Sequence, residues 1–588
     1  MSRLVVLLFL LSFGCGCARA PLAPPFTRNL DLEALEIAVR FDDPTPIVVM
    51  NLANQYLATG RDREGHSFFC ERSRNVPERA LFSALCGVFQ ARTAAEIPLL
   101  RRVAGVEDAL ARLDAAATRD GLSRYLRGVT CAALPERFER KRQAETDLQW
   151  VLDHPRAFPP GLLRGARQAL RVARGEVPAD EPAFVTTFSV DARDGFRFVS
   201  PELVEPAPGV FVARGYDFAD IAFVVTDDGV VAIDAGTSEQ NAAAALAAFR
   251  KVSAAPIRTL LLTHAHWDHV GGVRTLAAGG AQVIAQAAFA SELALASAAP
   301  VPFRFFFGDH TPQQLDVRPD RLVAQPETLS VGGTRFELYP AHGGETDDAL
   351  VIHLPERGVT FVGDAFMPYF GAPFVPEGSV EGLLATIALL RSLRPALLIH
   401  GHAPLTENFP MAVLPALEQA LRTLYQGTLA ALRAGKPLSD ALGSNLMPPS
   451  LAQHPDAVLP YLLMRENLVK RVYQQRTGYW HADGEGIEVF SRAEQAAALD
   501  LVAGGSAAAL GRAVTTLVER GDHALALRVA DLGLARHSSH AELLAARQRA
   551  LAGLRLKNQF NPFKFIVYSE LAGAELAAPP GSSPPPRR

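Results

Sequence analysis

Three histidines and an aspartate fall within six positions in "THAHWDH": His264, His266, Asp268 and His269. They follow the apolar run "TLLL" from Thr259, which reads as a buried strand whose end delivers those side chains into a cleft. His264 and His266 alternate along the extended segment and point the same way, while Asp268 and His269 come as the chain turns toward Gly271 and Gly272. Neutral imidazole suits zinc and related ions, and a carboxylate beside it suits a second, more oxygen-rich position. A lone histidine is usually structural, whereas four ligand-type residues at this spacing point to a metal centre.

The elements that must position this cluster occupy residues 183–410. Short β-branched runs such as "IAFVVTDDGVVAIDAG" alternate there with helical stretches such as "NAAAALAAFRKV". Asp227 to Gly229 form a strong hairpin signal between two strands. Sheets interleaved with helices mean an α/β layered domain.

The motif "HxHxDH" at His264, His266, Asp268 and His269 resembles the signature of the metallo-β-lactamase superfamily. The resemblance extends from about Val185 to Pro410 and implies an αββα sandwich. It implies roles for further residues. Asp234, ending "VVAIDAG", would support a ligand from behind. Asp364 in "FVGDAF" would bridge two metals, and His402 in "HGHAP" would be a late ligand. Where the usual pattern is "PGHT", this chain has "GGET" at Gly343 to Thr346, so Glu345 takes the histidine's place, with His342 as the rival. His400 reads as a packed or supporting histidine.

Glutamate at that position resembles the alkylsulfatase branch, and "MRENLVKRVYQQRTGYWHADG" from Met464 resembles the start of the alkylsulfatase dimerisation domain. The later "LVERGDHALALRVADLGL" and "NPFKFIVYSELAGAEL" are similar to its following helices. Two departures limit the substrate. "GDAFMPYF" stands where secreted alkylsulfatases resemble "ENATHT", and the terminal sterol-carrier-like domain is missing. The implied chemistry is hydrolysis of an ester with an apolar tail, most simply an alkyl sulfate. Two zinc ions or other divalent metals would make hydroxide from a bridging water, with Asp268 and Asp364 as catalytic carboxylates. Aromatic runs at 301–310 and 366–374 are candidate pocket walls, and Arg304 is a candidate anion contact. A lactone or carboxylic ester hydrolase of the same fold is the alternative. The non-enzymatic reading is a lipid-tethered helical binding protein with a structural metal centre.

Around this domain the chain is expected to be all-helical. Residues 21–182 carry apolar positions at helical spacing, weakly resembling tetratricopeptide-type repeats, and 411–576 form the dimerisation-like region, implying a homodimer. Residues 577–588 are a proline-rich tail. Residues 1–20 read as an export signal in which Cys15 or Cys17 resembles a lipoprotein acylation site, with cleavage after Ala20 as the rival. The protein is therefore expected to be periplasmic or tethered to the outer membrane of a bacterium, touching membrane only through its anchor. Beyond the signal Cys70, Cys86 and Cys131 allow at most one disulfide. A net charge of -4 over 588 residues gives no basic field for nucleic acid. The partner expected is a small amphiphilic ester.

Overall fold

The computed structural model describes residues 25–94, 99–154, 157–158, 160–177, 189–191, 195–199, 201–298, 316–369, 377–478, 484, 486–558 and 560–573. It separates into two compact units. Among the described residues, one combines those from 25 to 177 with those from 488 to 573, and the other holds those from 189 to 487.

The second unit is built on two sheets. After a short ribbon of β1 (Ser189–Asp191) and β2 (Gly195–Arg197), the first sheet runs in chain order. It comprises β3 (Glu202–Ala207), β4 (Val210–Arg214), β5 (Ile221–Thr226), β6 (Gly229–Ile233), β7 (Ile257–Leu261), β8 (Gln282–Gln286) and β9 (Arg321–Val323). Its first four strands are antiparallel and its last four parallel. The β5–β6 hairpin turns at Asp227 and Asp228, as their sequence signalled, with Thr226 paired to Gly229. The second sheet comprises β10 (Glu327–Val331), β11 (Thr334–Pro340), β12 (Leu350–Leu354), β13 (Val359–Gly363) and β14 (Leu397–His400).

Alternation along these strands sorts side chains into two cores. Val212, Val224, Val231 and Leu261 from the first sheet meet Phe336, Leu338, Ile352 and Phe361 from the second. On the outer face of the first sheet, Phe211, Phe223 and Leu260 pack with Ala242, Ala245 and Phe249 of the helix Glu239–Phe249. Phe223 stacks on Phe249 with centroids 4.4 Å apart. Strands β13 and β14 are parallel, so the chain must cross over between them, and the helix Val380–Leu393 makes that crossing while burying Leu383, Ile387 and Leu390. The result is the expected αββα sandwich, with helical regions on either side of it in sequence.

The same unit carries the helices Leu414–Arg433 and Val458–Thr477. Arg391 pairs with Glu418 at 2.5 Å and Arg476 with Glu381 at 2.9 Å. Asn467 donates to the Pro368 carbonyl at 2.9 Å, and Arg471 to that of Gly378 at 2.9 Å.

In the other unit, helices from Leu30–Val39 to Pro160–Ala173 pack largely on their neighbours in sequence. The helices from Arg492–Val502 to Pro562–Leu571 belong to this unit too. Asp522 accepts from the backbone N–H groups of Phe26 and Thr27 at 2.8 and 3.0 Å, and Gln55 donates to the Lys557 carbonyl at 2.7 Å. The described residues of the 411–576 region are thus shared between the units, those up to 487 with the sheets and those from 488 to 573 with the N-terminal helices. A disulfide joins Cys70 to Cys86, and Cys131 is a buried thiol. Among the described residues no single helix is long and apolar enough to cross a membrane. The leader, the tail, Arg304 and the aromatic run at 301–310 lie outside the described residues.

Candidate metal centre

The ends of parallel strands carry the candidate ligands, as in many α/β proteins, where strand C-termini open onto the site. Strand β6 ends beside Asp234, β7 leads to His264, β13 ends beside Asp364, and β14 leads through Gly401 to His402. Glu345 sits in the turn between β11 and β12.

Two groups of ligand-type atoms result, each with all members within 4.8 Å of one another: His264, His266 and Glu345, and Asp268, His269, Asp364 and His402. In the first, His264 Nε2 lies 3.3 Å and His266 Nδ1 3.6 Å from the Glu345 carboxylate. In the second, His402 Nε2 lies 2.9 Å from Asp364 and 3.3 Å from Asp268, and His269 Nε2 lies 3.6 and 3.5 Å from the same two carboxylates. All are buried except His266, which is partly exposed.

The back side of three of the four imidazoles is fixed. His269 Nδ1 is 2.9 Å from Asp234 Oδ2, His402 Nδ1 is 3.0 Å from the Phe218 carbonyl, and His264 Nδ1 is 3.1 Å from Thr263 Oγ1. Asp234 also accepts from Thr263 N–H at 2.8 Å and from its hydroxyl at 2.7 Å, and holds φ at 58°, a conformation Asp tolerates. Anchoring one ring nitrogen determines which nitrogen offers its lone pair. His269 and His402 therefore present Nε2 to the carboxylates.

The residues fit a divalent metal on two grounds. His264 Nε2, His269 Nε2, Glu345 Oε1 and Asp364 Oδ1 are buried without a hydrogen-bond partner, an expensive state for polar atoms. The electrostatics are also unbalanced. Burial and the neighbouring Asp364 charge push the Glu345 carboxyl well above the usual carboxylate range, and burial holds His264 well below the ordinary histidine value. Burial opposes charge on His269 and His402, but the adjoining carboxylates outweigh it and raise both. The same histidines hold Asp364 well below the usual range against burial. A cation relieves the carboxylate crowding that these proton shifts otherwise absorb.

Other candidates fall away from the two groups. His342 is exposed, with Nδ1 2.8 Å from the Asp347 carbonyl, so Glu345 and not His342 stands with the ligands. His400 is buried with Nε2 3.2 Å from the Phe409 carbonyl, and burial lowers it to about 4. Phe366 packs on His400 and Phe409 behind the strand, so the start of the 366–374 run is core.

Residues that the sequence did not single out complete the site. Phe218 stacks on Trp267 at 5.7 Å and lies 4.7 Å from the His402 ring, and Phe198 lies 5.8 Å from that ring. Asp220 donates its N–H to the Gly401 carbonyl at 2.7 Å, and burial pushes its carboxyl up to about 7. Asp217 accepts from Thr237 N–H at 2.7 Å and Phe218 N–H at 2.6 Å, pinning the loop that carries Phe218. The aromatic residues left a weak signal in "YDFAD" and at Trp267 inside the histidine motif; the backbone contacts left none.

The sequence profile of the Metallo-beta-lactamase superfamily matches residues 214–402, the span from β4 through His402. This part of the chain is a metallo-β-lactamase domain. Among curated relatives, a hydroxyacylglutathione hydrolase of Cereibacter sphaeroides is 28% identical over 32% of this chain and 66% of its own length. A linear primary-alkylsulfatase of a Pseudomonas species is 21% identical over 47% of this chain and 59% of its own. The chain thus spans roughly two thirds or less of these relatives. The solved stereoselective inverting sec-alkylsulfatase from Pseudomonas sp. shares the fold, with TM-score 0.53 and 20% identity over 65% of this chain and 66% of that one.

Proposed function

We propose that the protein is a binuclear metal-dependent hydrolase of esters carrying an apolar group, most simply alkyl sulfates. One observation carries the reading: a three-ligand and a four-ligand group, both essentially buried, with lone pairs left unpaired between them. Structural zinc sites are closed by four protein ligands, whereas His264, His266 and Glu345 supply three and leave a position open. The donor set of imidazole and carboxylate suits zinc, one ion per group, and in this reading Asp364, a member of the second group, is shared between the two ions. Bound divalent ions supply Lewis acidity and bring the pKa of water toward neutrality.

The chain's own part is positioning. Asp234, Thr263 and the Phe218 carbonyl lock the His269, His264 and His402 rings, and Asp268 would orient the attacking water by accepting its hydrogen bond. The Phe218–Trp267 pair offers an apolar wall beside His402 for the non-reacting part of the substrate.

Glu345 in the ligand group, and an alkylsulfatase match that reaches well beyond the metallo-β-lactamase domain, support the sulfate ester reading. The higher identity to a hydroxyacylglutathione hydrolase supports the second reading, a carboxylic-type ester, thioester or lactone as substrate. The proposal includes export, which the Cys70–Cys86 disulfide supports, a lipid anchor, and a homodimer through residues 411–484. The test is a hydrolysis screen over alkyl sulfates, lactones, thioesters, and carboxylic and phosphate esters. Sulfate release that collapses in Asp364→Ala supports the first reading, turnover of lactones or carboxylic-type esters alone supports the second, and no turnover after metal reconstitution refutes both.

A further inference from the structure

Outside the centre, His66, Cys70 and Cys86 form another group of ligand-type side chains, with one nitrogen and two sulfurs all within 4.8 Å of one another. His66 and Cys70 lie four residues apart on the helix Asp62–Asn75 and so share a face, and Cys86 comes from the helix Ala80–Ala94 packed against it. With the two sulfurs joined as a disulfide, neither is a thiolate ligand. We propose that reduction of the Cys70–Cys86 disulfide creates a further metal site, in which the two thiolates and the His66 imidazole hold one zinc-like ion.

The chemistry balances with a dithiol as the reductant. It gives two electrons and two protons to the protein disulfide, the S–S bond breaks, two thiols form, and the dithiol closes to its own disulfide. Metal binding then releases the two thiol protons, because the thiolate is the ligand. Thiolate with imidazole is a zinc donor set, and three protein ligands leave a fourth position for water. Zinc–sulfur bonds of about 2.3 Å in a tetrahedral arrangement place the sulfurs roughly 3.8 Å apart. With the two Cα atoms 4.7 Å apart, rotation of the two side chains would supply that separation.

His66 suits the role. Burial, helped by the Arg112 charge, lowers its proton affinity, so its lone pair is available near neutrality. His66 and Cys70 are partly exposed, so ion and reductant can reach them, and only Cys86 is fully buried. The group belongs to the all-helical unit and shares no residue with the hydrolytic centre. A metal held there would replace the disulfide as the cross-link between the same two helices, carrying the fold through a change of redox state.

The test uses the full chain, with its main centre loaded, in disulfide and reduced forms. The reduced form is made with a dithiol that is then removed without oxygen, and cobalt(II) is titrated into both. The expected result is one further cobalt per reduced chain with a thiolate-to-cobalt band in the near ultraviolet, which the nitrogen and oxygen ligands of the main centre cannot give. Cys70→Ser abolishes the band, and His66→Ala, which keeps the disulfide-forming pair, weakens cobalt binding about tenfold or more. No band on reduction, a band indifferent to His66→Ala, or a reduced chain that unfolds before binding metal overturns the proposal. Hydrolysis, measured on the disulfide form, succeeds or fails independently.

Discussion

Gly401 links β14 to His402, and a Cβ there would lie 2.4 Å from Asp364 Oδ1 and 2.5 Å from His269 Cε1. Gly401→Ala is therefore expected to lower metal affinity by about 10- to 100-fold, read by competition with a chelator, with an unchanged circular dichroism spectrum. Asp234→Asn should cost a similar factor of about 10 to 100, because it keeps the left-handed backbone but removes the charge behind His269. Wild-type affinity in both variants would mean that these contacts do not organise the centre. The histidine motif was legible from side-chain type and spacing alone. Glu345, Asp364 and His402 lie 19 and 38 residues apart, far from the histidine motif, and were legible only through family resemblance. The Phe218 carbonyl was legible in neither way, since a backbone group leaves no mark on residue identity.

Among the elements, the helices Asp62–Asn75 and Ala80–Ala94 are tied by a disulfide spanning 16 residues. Closing a loop of that length removes unfolded-state entropy worth about 3 kcal/mol. Replacing both cysteines by alanine should destabilise the helical unit by about that amount in denaturant titrations. The helix Pro562–Leu571 makes a pH prediction. Glu570 is half-buried, with one oxygen unpartnered, and burial raises its carboxyl from 4.5 to about 7. Because the folded value is the higher one, its contribution is fully present below pH 4.5 and is lost as pH rises through about 7. Glu570→Gln should thus raise the melting temperature at pH 8 and change it little at pH 4. No gain in melting temperature at pH 8 would show that Glu570 ionises freely in the folded protein. Helices and strands of this kind were legible from apolar periodicity, since each element's buried face repeats locally.

For the whole molecule, the pairing of chain segments was not legible in that way. Residues 25–177 and 488–573 share one compact unit through contacts such as Asp522 with Phe26 and Thr27, and His523 Nε2 with the Ala58 carbonyl at 2.8 Å. Such contacts join positions more than 400 residues apart, and no local pattern encodes them. Asp522→Ala should release the segment before Leu30 and expose it to limited proteolysis, while leaving hydrolysis by the sandwich unit unchanged. Whether the sandwich holds metal is read from metal analysis of the purified protein by mass spectrometry, in the disulfide form. About two zinc-like ions per chain are expected, falling to about one or fewer in Glu345→Ala. A wild-type chain that retains no divalent metal, even after reconstitution and removal of excess, would contradict metal binding by the sandwich.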